Sequence, residues 1–449
     1  MSAVPQTFRY AHPSFMSEAA RPRLTLSTAL PEGDTPPRFF EGRIHAPRQV
    51  AELLAAVHLV VGSRFFTPAN TVAKAIALAD PVVTSGGGLL RFEGFSSCCS
   101  TYVRADLLPQ AYDGQVIAKG TTNVDFNAPM RAALARVRDE AGLELAVGPD
   151  DVTLRSGGAE VTERKVELPT RWIRGLVEVQ SCLAAMRRRF EVSGLEALRF
   201  LRTLPRASTS RTPLWIAPGP AGLFTTTRAA AHGVRVTDTR RLRVLESLLP
   251  RVRSLAVFAD GAQQASAWVL DFGDARLTLA LSPEVWRGFS GEGQALRALL
   301  HASTRSPGTL AHVRAALQWQ PRLDAAALAG ELALAVDAVE DALRVLGACG
   351  LAGFDLTEGY YFHRVLPFDL SVVDDMHPRL TSARELIDGG AVAIVKVSPF
   401  EATVRSGDVA HRVREKAGEL HCTCPWFAAH QGQRGPCKHV LAAEASRGA

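Results

Sequence analysis

The C-terminal end of this 449-residue chain restricts its fold more than anything before it. It reads His421-Cys422-Thr423-Cys424-Pro425-Trp426-Phe427 and then Gly435-Pro436-Cys437-Lys438-His439: Cys-x-Cys, twelve intervening residues, and Cys-x-His. Three thiolates and one imidazole fill the tetrahedral sphere of Zn²⁺ and leave no position for water, so such a site is structural rather than hydrolytic. The expectation is one Zn²⁺ per chain, held by Cys422, Cys424, Cys437 and His439. A turn at Cys424-Pro425 brings the first two sulfurs inward. Pro436 suits the first turn of a helix that carries Cys437 and His439 and runs on through 440–445. The helix N-terminus, Lys438 and Arg434 would offset the net negative charge of a tris-thiolate zinc. A redox pair of Cys422 and Cys424 is the rival reading. It strains a Cys-x-Cys disulfide and leaves Cys437 and His439 without a role. His421 and His430 lie close by but outside the paired spacing, as surface histidines would.

Strand-like runs at 391–397, 402–405 and 409–414 precede the ligands and complete a ββα-like unit. With the Pro-Trp-Phe after the first pair and the Pro-Cys-Lys-His helix start, this segment resembles the SWIM zinc finger. The chain as a whole is similar to bacterial SWIM zinc-finger family proteins of about this length. The segments that carry this are Leu90-Arg91-Phe92-Glu93-Gly94-Phe95-Ser96-Ser97-Cys98 and Gly120-Thr121-Thr122-Asn123-Val124-Asp125-Phe126. The resemblance implies a module for protein or nucleic-acid contacts. It also implies partners, because the family's genes often lie beside MoxR-type AAA+ ATPases and von Willebrand A-domain proteins. A non-enzymatic adaptor or recruiting partner is the leading expectation, and a DNA-binding regulator the alternative.

Upstream, the expected fold class is α+β multidomain: an N-terminal α+β region at 1–110, a basic α+β middle at 111–285, a winged-helix-like domain at 286–369 and the finger domain at 370–449. Helical periodicity at 49–61 puts Leu53, Leu54, Val57 and Val61 on one face. Gly86-Gly87-Gly88 lacks the Gly-Lys-Ser/Thr of a phosphate loop and reads as a turn between strands. Strands are expected at 89–95 and 101–105, helices at 128–140 and 172–201, and a hairpin around Gly273-Asp274. From 287 the pattern is helical near 293–301 and 310–317, then a short helix capped by Asp324, a helix with Val336, Val339, Leu343 and Leu346 in one stripe, and a hairpin through Thr357-Glu358-Gly359. That order resembles a winged helix. The helix in the recognition position shows Asp337, Glu340 and Asp341 beside Arg344, a face that repels phosphate and favours protein contacts.

The formal charge of +6 is local: sixteen arginines face five acids between 171 and 253, so the remainder is acidic. Arg187, Arg188 and Arg189 with Arg240, Arg241 and Arg243 are therefore the candidate contacts for nucleic acid or an acidic partner, against the alternative of a solvated helix face. Seven cysteines are sparse and odd in count, four of them scattered and three in the C-terminal motif, which argues against a disulfide scaffold, and no stretch reads as a signal or a membrane span. A soluble, cytoplasmic protein with no membrane partner is expected. Nucleophile-elbow, Walker and His-Glu-x-x-His patterns are absent. Cys98-Cys99 reads as a buried strand pair, Asp374-Asp375 with His377 as linker acids, and Trp286, Trp319 and Phe400 as core.

Overall fold

The computed structural model describes residues 38–449 except 68–80, 117, 167, 169, 206–211, 262–264, 292, 294, 297–306, 367–377, 433 and 448–449, together with Phe15–Met16 and Leu24–Thr25. Its architecture is mixed α and β, with several antiparallel sheets. The triple glycine closes a hairpin between Val82–Gly86 (β1) and Leu89–Phe95 (β2). Gly87 takes φ +60, and a Cβ there would lie 2.5 Å from Pro321 Cβ, so both conformation and space require glycine. Thr101–Leu107 (β3), Gly120–Asn123 (β4), Arg187–Ser193 (β5), Ser254–Ala259 (β6), Ser266–Asp271 (β7) and Ala275–Leu281 (β8) extend the sheet to eight strands. Their order is β5-β6-β7-β8-β3-β2-β1-β4, and Gly273 turns β7 into β8 as its sequence predicts.

A second sheet runs in the order 159–164, 151–156, 144–147, 40–44 and 112–116. Both sheets share one core with helix Pro47–Gly62 (α1), which contributes Val50, Leu53, Leu54, Val57, Val60 and Val61. One sheet spans both sides of residue 110, because β3 pairs along its length with β8, Leu107 opposite Ala275 and Thr101 opposite Leu281. Pairing between strands so distant in sequence leaves no local signature. The helix expected over 172–201 is two helices, Thr170–Ala185 (α2) and Gly194–Thr203, separated by β5. In β5 the half-buried Arg189 gives way to buried Phe190 and Val192 at period two, and the Ser193 side chain caps the next helix by accepting from Glu196 N.

Pro307–Ala315 (α3), Ala325–Leu332 (α4) and Val336–Ala348 (α5) follow, with the hairpin Ala352–Asp355 (β9) and Tyr360–His363 (β10). Val313, Leu328, Val339, Leu343 and Leu346 form a separate small core, whereas Val336 stands exposed. Asp324 caps α4 by accepting from Ala326 N and Ala327 N. The hairpin meets the large sheet through buried charge. Arg364 donates to Glu93 on β2, and Tyr102 Oη donates to the same carboxylate at 2.6 Å. Arg104 Nε on β3 lies 2.9 Å from Asp106 and its terminal nitrogen donates to the Phe354 carbonyl, while Arg91 covers the Phe362 ring at 3.7 Å. Burial alone would raise the Glu93 carboxyl; Arg364 and the Tyr102 hydroxyl outweigh it and hold it below the usual range.

The last unit begins with helix Pro378–Asp388 (α6). Val392–Lys396 (β11), Glu401–Ser406 (β12), Val409–Lys416 (β13) and Glu419–Cys422 (β14) form a sheet in that order, followed by Pro425–His430 (α7) and Lys438–Arg447 (α8). Ala402, Val404 and Val413 face Leu380, Val440 and Leu441, and Val177 of α2 and Ala348 of α5 join the same core. Several expectations change. Trp286 is 52% exposed, not core, and Trp319 is half-buried with its ring 5.2 Å from His363, while Phe400 is buried as expected. Cys98 and Cys99 are buried, in the turn between β2 and β3 rather than in a strand. Asp374, Asp375 and His377 lie outside the described residues. Among the described residues, no helix is long and apolar enough to cross a membrane.

Candidate metal centre

Each ligand is delivered by the end of an element. β14 terminates on Cys422, and Cys424 is the N-cap of α7, its sulfur accepting from Phe427 N at 3.3 Å. Cys437 heads α8, with Val440 N donating to its sulfur at 3.4 Å and Leu441 N to its carbonyl at 3.0 Å. Pro436 and Cys437 thus precede the helix, whose first turn holds only His439; the expected placement of both ligands on that turn is corrected to a cap plus one turn residue. Pro436 lacks an N–H, which costs nothing where the helix has not begun. The four donor atoms lie within 4.8 Å of one another, and all four residues are buried.

This geometry fits zinc. His439 Nδ1 stands 3.8 Å from Cys422 Sγ. A tetrahedron with Zn–S of about 2.3 Å and Zn–N of about 2.0 Å has edges of roughly 3.6 Å. The electrostatics agree. A hydrogen bond from the Cys422 thiol is the largest influence lowering Cys437, assisted by His439 and Val440 N, whereas the same bond and burial push Cys422 up. Sulfurs this close oppose one another's ionisation, and a bound zinc would supply the positive charge that lets all three ionise together. Backbone N–H donors to Cys422, Cys424 and Cys437 stabilise the thiolate forms.

Residues outside the motif hold the loop in place. Arg379 of α6 donates to the carbonyls of Arg434 and Pro436 at 2.7 and 3.0 Å, fixing the approach to Cys437. Gly435 has φ +72, and a Cβ there would lie 2.3 Å from the Gly293 carbonyl oxygen. His411, on the inward side of β13, lies 4.3 Å from the His439 ring, centroid to centroid. Ligand spacing reveals none of these, because Arg379 and Gly293 come from other parts of the chain. His421 is exposed, opposite Arg414, and His430 lies against Trp426; neither joins the cluster.

Each of the candidate arginines has partners within the chain. Arg187 is exposed on the edge strand β5 and donates to the Ala184 and Met186 carbonyls, while Arg188 pairs with Glu191 at 2.8 Å. Arg189 donates to the Asp260 carbonyl. Arg240 is held by Asp238 and Arg243 by Glu246 and the Leu204 carbonyl. Arg241 is corrected outright: at 1% exposure it donates to the carbonyls of Ser100 and Ser282 and to Thr237, which makes it an internal brace.

Compared with known proteins, residues 406–448 match the SWIM zinc finger family model, and all four ligands fall inside the match. The chain carries a SWIM zinc finger at its C-terminal end, with a Cys/His cluster suited to one structural zinc. No curated protein matches the chain. Among solved structures, Proliferating Cellular Nuclear Antigen from Entamoeba histolytica is similar at 11% identity and a TM-score of 0.36, covering 55% of this chain and 99% of that chain. A likeness that slight carries no argument.

Proposed function

We propose that this protein is a non-catalytic adaptor that uses its SWIM finger and its helix–hairpin unit to contact other proteins, within a system built on a MoxR-type AAA+ ATPase or a von Willebrand A-domain partner. The observation that carries this reading is the closed donor set: three cysteines and one histidine leave zinc no open position, so the metal holds a shape rather than performing a reaction. On this reading zinc ties β14, α7 and α8 together, and the finger offers a rigid surface.

We read α3, α4, α5 and the β9–β10 hairpin as a winged helix, supported by their order and by the bridge from Leu323 to Tyr361. Two features favour protein over DNA as its partner. The hairpin is sunk against Arg91 and Arg104 of the large sheet, which withholds the wing from a duplex. The outer face of α5 presents Asp337, Glu340 and Asp341, and its lone Arg344 is paired with Glu340 and Asp341. Nucleic-acid binding is the second reading, resting on the exposed Arg187 and Arg188 at the β5 edge. Two measurements separate the readings. Pull-down of the zinc-loaded protein with the ATPase encoded beside it should capture that ATPase; failure, with zinc content verified, removes the partner. Binding to DNA or RNA that is absent at low ionic strength removes the second reading.

A further inference from the structure

We propose that the free edge of the finger sheet, β11, docks an extended protein segment of alternating apolar and acidic residues, which adds to the sheet as a fifth strand. The inference rests on reading the finger as a protein-contact module. β11 is terminal in its sheet, and no described strand pairs with its outer side, so its backbone N–H and C=O groups are available to an incoming chain. Ile394 and Val395 are 46% and 62% exposed on this strand, and Val397, in the turn just past its end, is 71% exposed. Edge strands are ordinarily blunted by charge or proline, yet within β11 only Lys396 is charged. The register against β12 shifts between Ile394 and Lys396, so an added strand pairs regularly with 392–394 and accommodates the extra residue beyond it.

Charge selects the occupant. Lys396 lies opposite Glu401, whose neighbour Ala402 points into the core, so Lys396 belongs to the outward face. The same alternation puts Arg405, Arg412, Arg414 and Lys416 on that face. Its carboxylates are Glu401, already shared by Arg412 at 3.0 Å and Arg414 at 3.2 Å, and Glu419. A strand added at β11 therefore lays one row of side chains beside Ala393 and Lys396, at the rim of the cationic face that Arg405 continues on β12, and the other row beside Val392 and Ile394. Carboxylates suit the first row and β-branched apolar groups the second. A second copy of this chain fits poorly, because antiparallel pairing of two β11 strands would set two cationic faces side by side.

A fluorescent peptide of about ten residues alternating valine and glutamate, titrated into the zinc-loaded full-length protein, should bind at least about tenfold more tightly than its lysine-for-glutamate counterpart. Amide exchange followed by mass spectrometry should slow across 392–396 in that complex. The double variant V395D/V397D should lose about tenfold or more in affinity, with zinc content and α8 exchange unchanged, which separates loss of the edge from loss of the fold. Equal binding of both peptides, binding of neither, or protection elsewhere overturns the proposal. So does a dimer that V395D/V397D dissolves, since the occupant is then a second copy. A single-stranded oligonucleotide that binds this face more tightly than the acidic peptide also overturns it. If the peptide fails while the ATPase is still captured, the edge proposal falls and the adaptor reading stands. If the peptide protects 392–396 while the ATPase is not captured, the edge stands and that partner falls.

Discussion

Glu93 and Arg364 meet with almost no solvent exposure, 271 positions apart, and the guanidinium helps hold the Glu93 carboxyl ionised. Replacing Glu93 by Gln keeps the shape but leaves a buried guanidinium uncompensated, so urea unfolding should show a loss of about 3–5 kcal/mol. The double variant E93Q/R364M should cost less than E93Q alone, because the stranded charge is gone. The pH dependence follows in sign. A carboxyl held below its ordinary value of 4.5 stabilises the fold fully above that value, and the contribution disappears as pH falls through the lower folded value. Acid titration should therefore destabilise the wild type below about pH 4.5, and E93Q should lack that component. The zinc ligands obey a local logic instead. Cys437→Ser removes a thiolate from a closed set, so metal analysis should find the one zinc per chain lost and circular dichroism should report an unfolded finger. That difference explains what the sequence discloses at this scale. Four donors at fixed spacing announce their role, whereas Glu93, Arg104 and Arg241 look like surface charges until distant segments enclose them.

Elements were legible where a single periodicity governs them. The stripe of α1, the Asp324 cap of α4 and the glycine turns before β2 and β8 sit where local chemistry puts them. The segment 172–201 was misleading because its apolar spacing suits a helix on both sides of Arg187, while pairing of β5 with β6 pulls the middle into the sheet. The loop entering α8 is a further case in which contact, not propensity, decides. Gly435→Ala faces both a positive φ and a carbonyl oxygen 2.3 Å from the new Cβ. Gly407 has φ +61 but nothing within 4 Å of its Cβ, so Gly407→Ala isolates the conformational cost. Chelator competition should show zinc held more weakly in G435A than in G407A, and G435A should cost about 1–3 kcal/mol in stability. Equal effects of the two substitutions would mean that the approach of Gly293 does not matter.

At the scale of the whole molecule, metal-dependent and metal-independent cores lie side by side. The two large sheets and α1 bury their apolar side chains without reference to zinc, whereas Cys422, Cys424 and Cys437 are themselves members of the finger core. Structural zinc contributes about 10–16 kcal/mol to comparable small folds, more than the finger's short strands and two flanking helices supply. Among the described residues, the finger core takes in Val177 of α2, Ala295, Leu296 and Ala348 of α5 but no member of the larger core, so its loss leaves the packing of that core in place. Chelation should therefore remove one calorimetric transition and leave another, and limited proteolysis of the chelated protein should cut first between 392 and 447. The surviving fragment should retain the near-continuous pairing of β3 with β8, and cleavage at residue 110 should not release a separately folded piece, because that cut parts strands of one sheet. A single transition lost as a whole on chelation would show instead that Val177 and Ala348 couple the two cores into one cooperative unit.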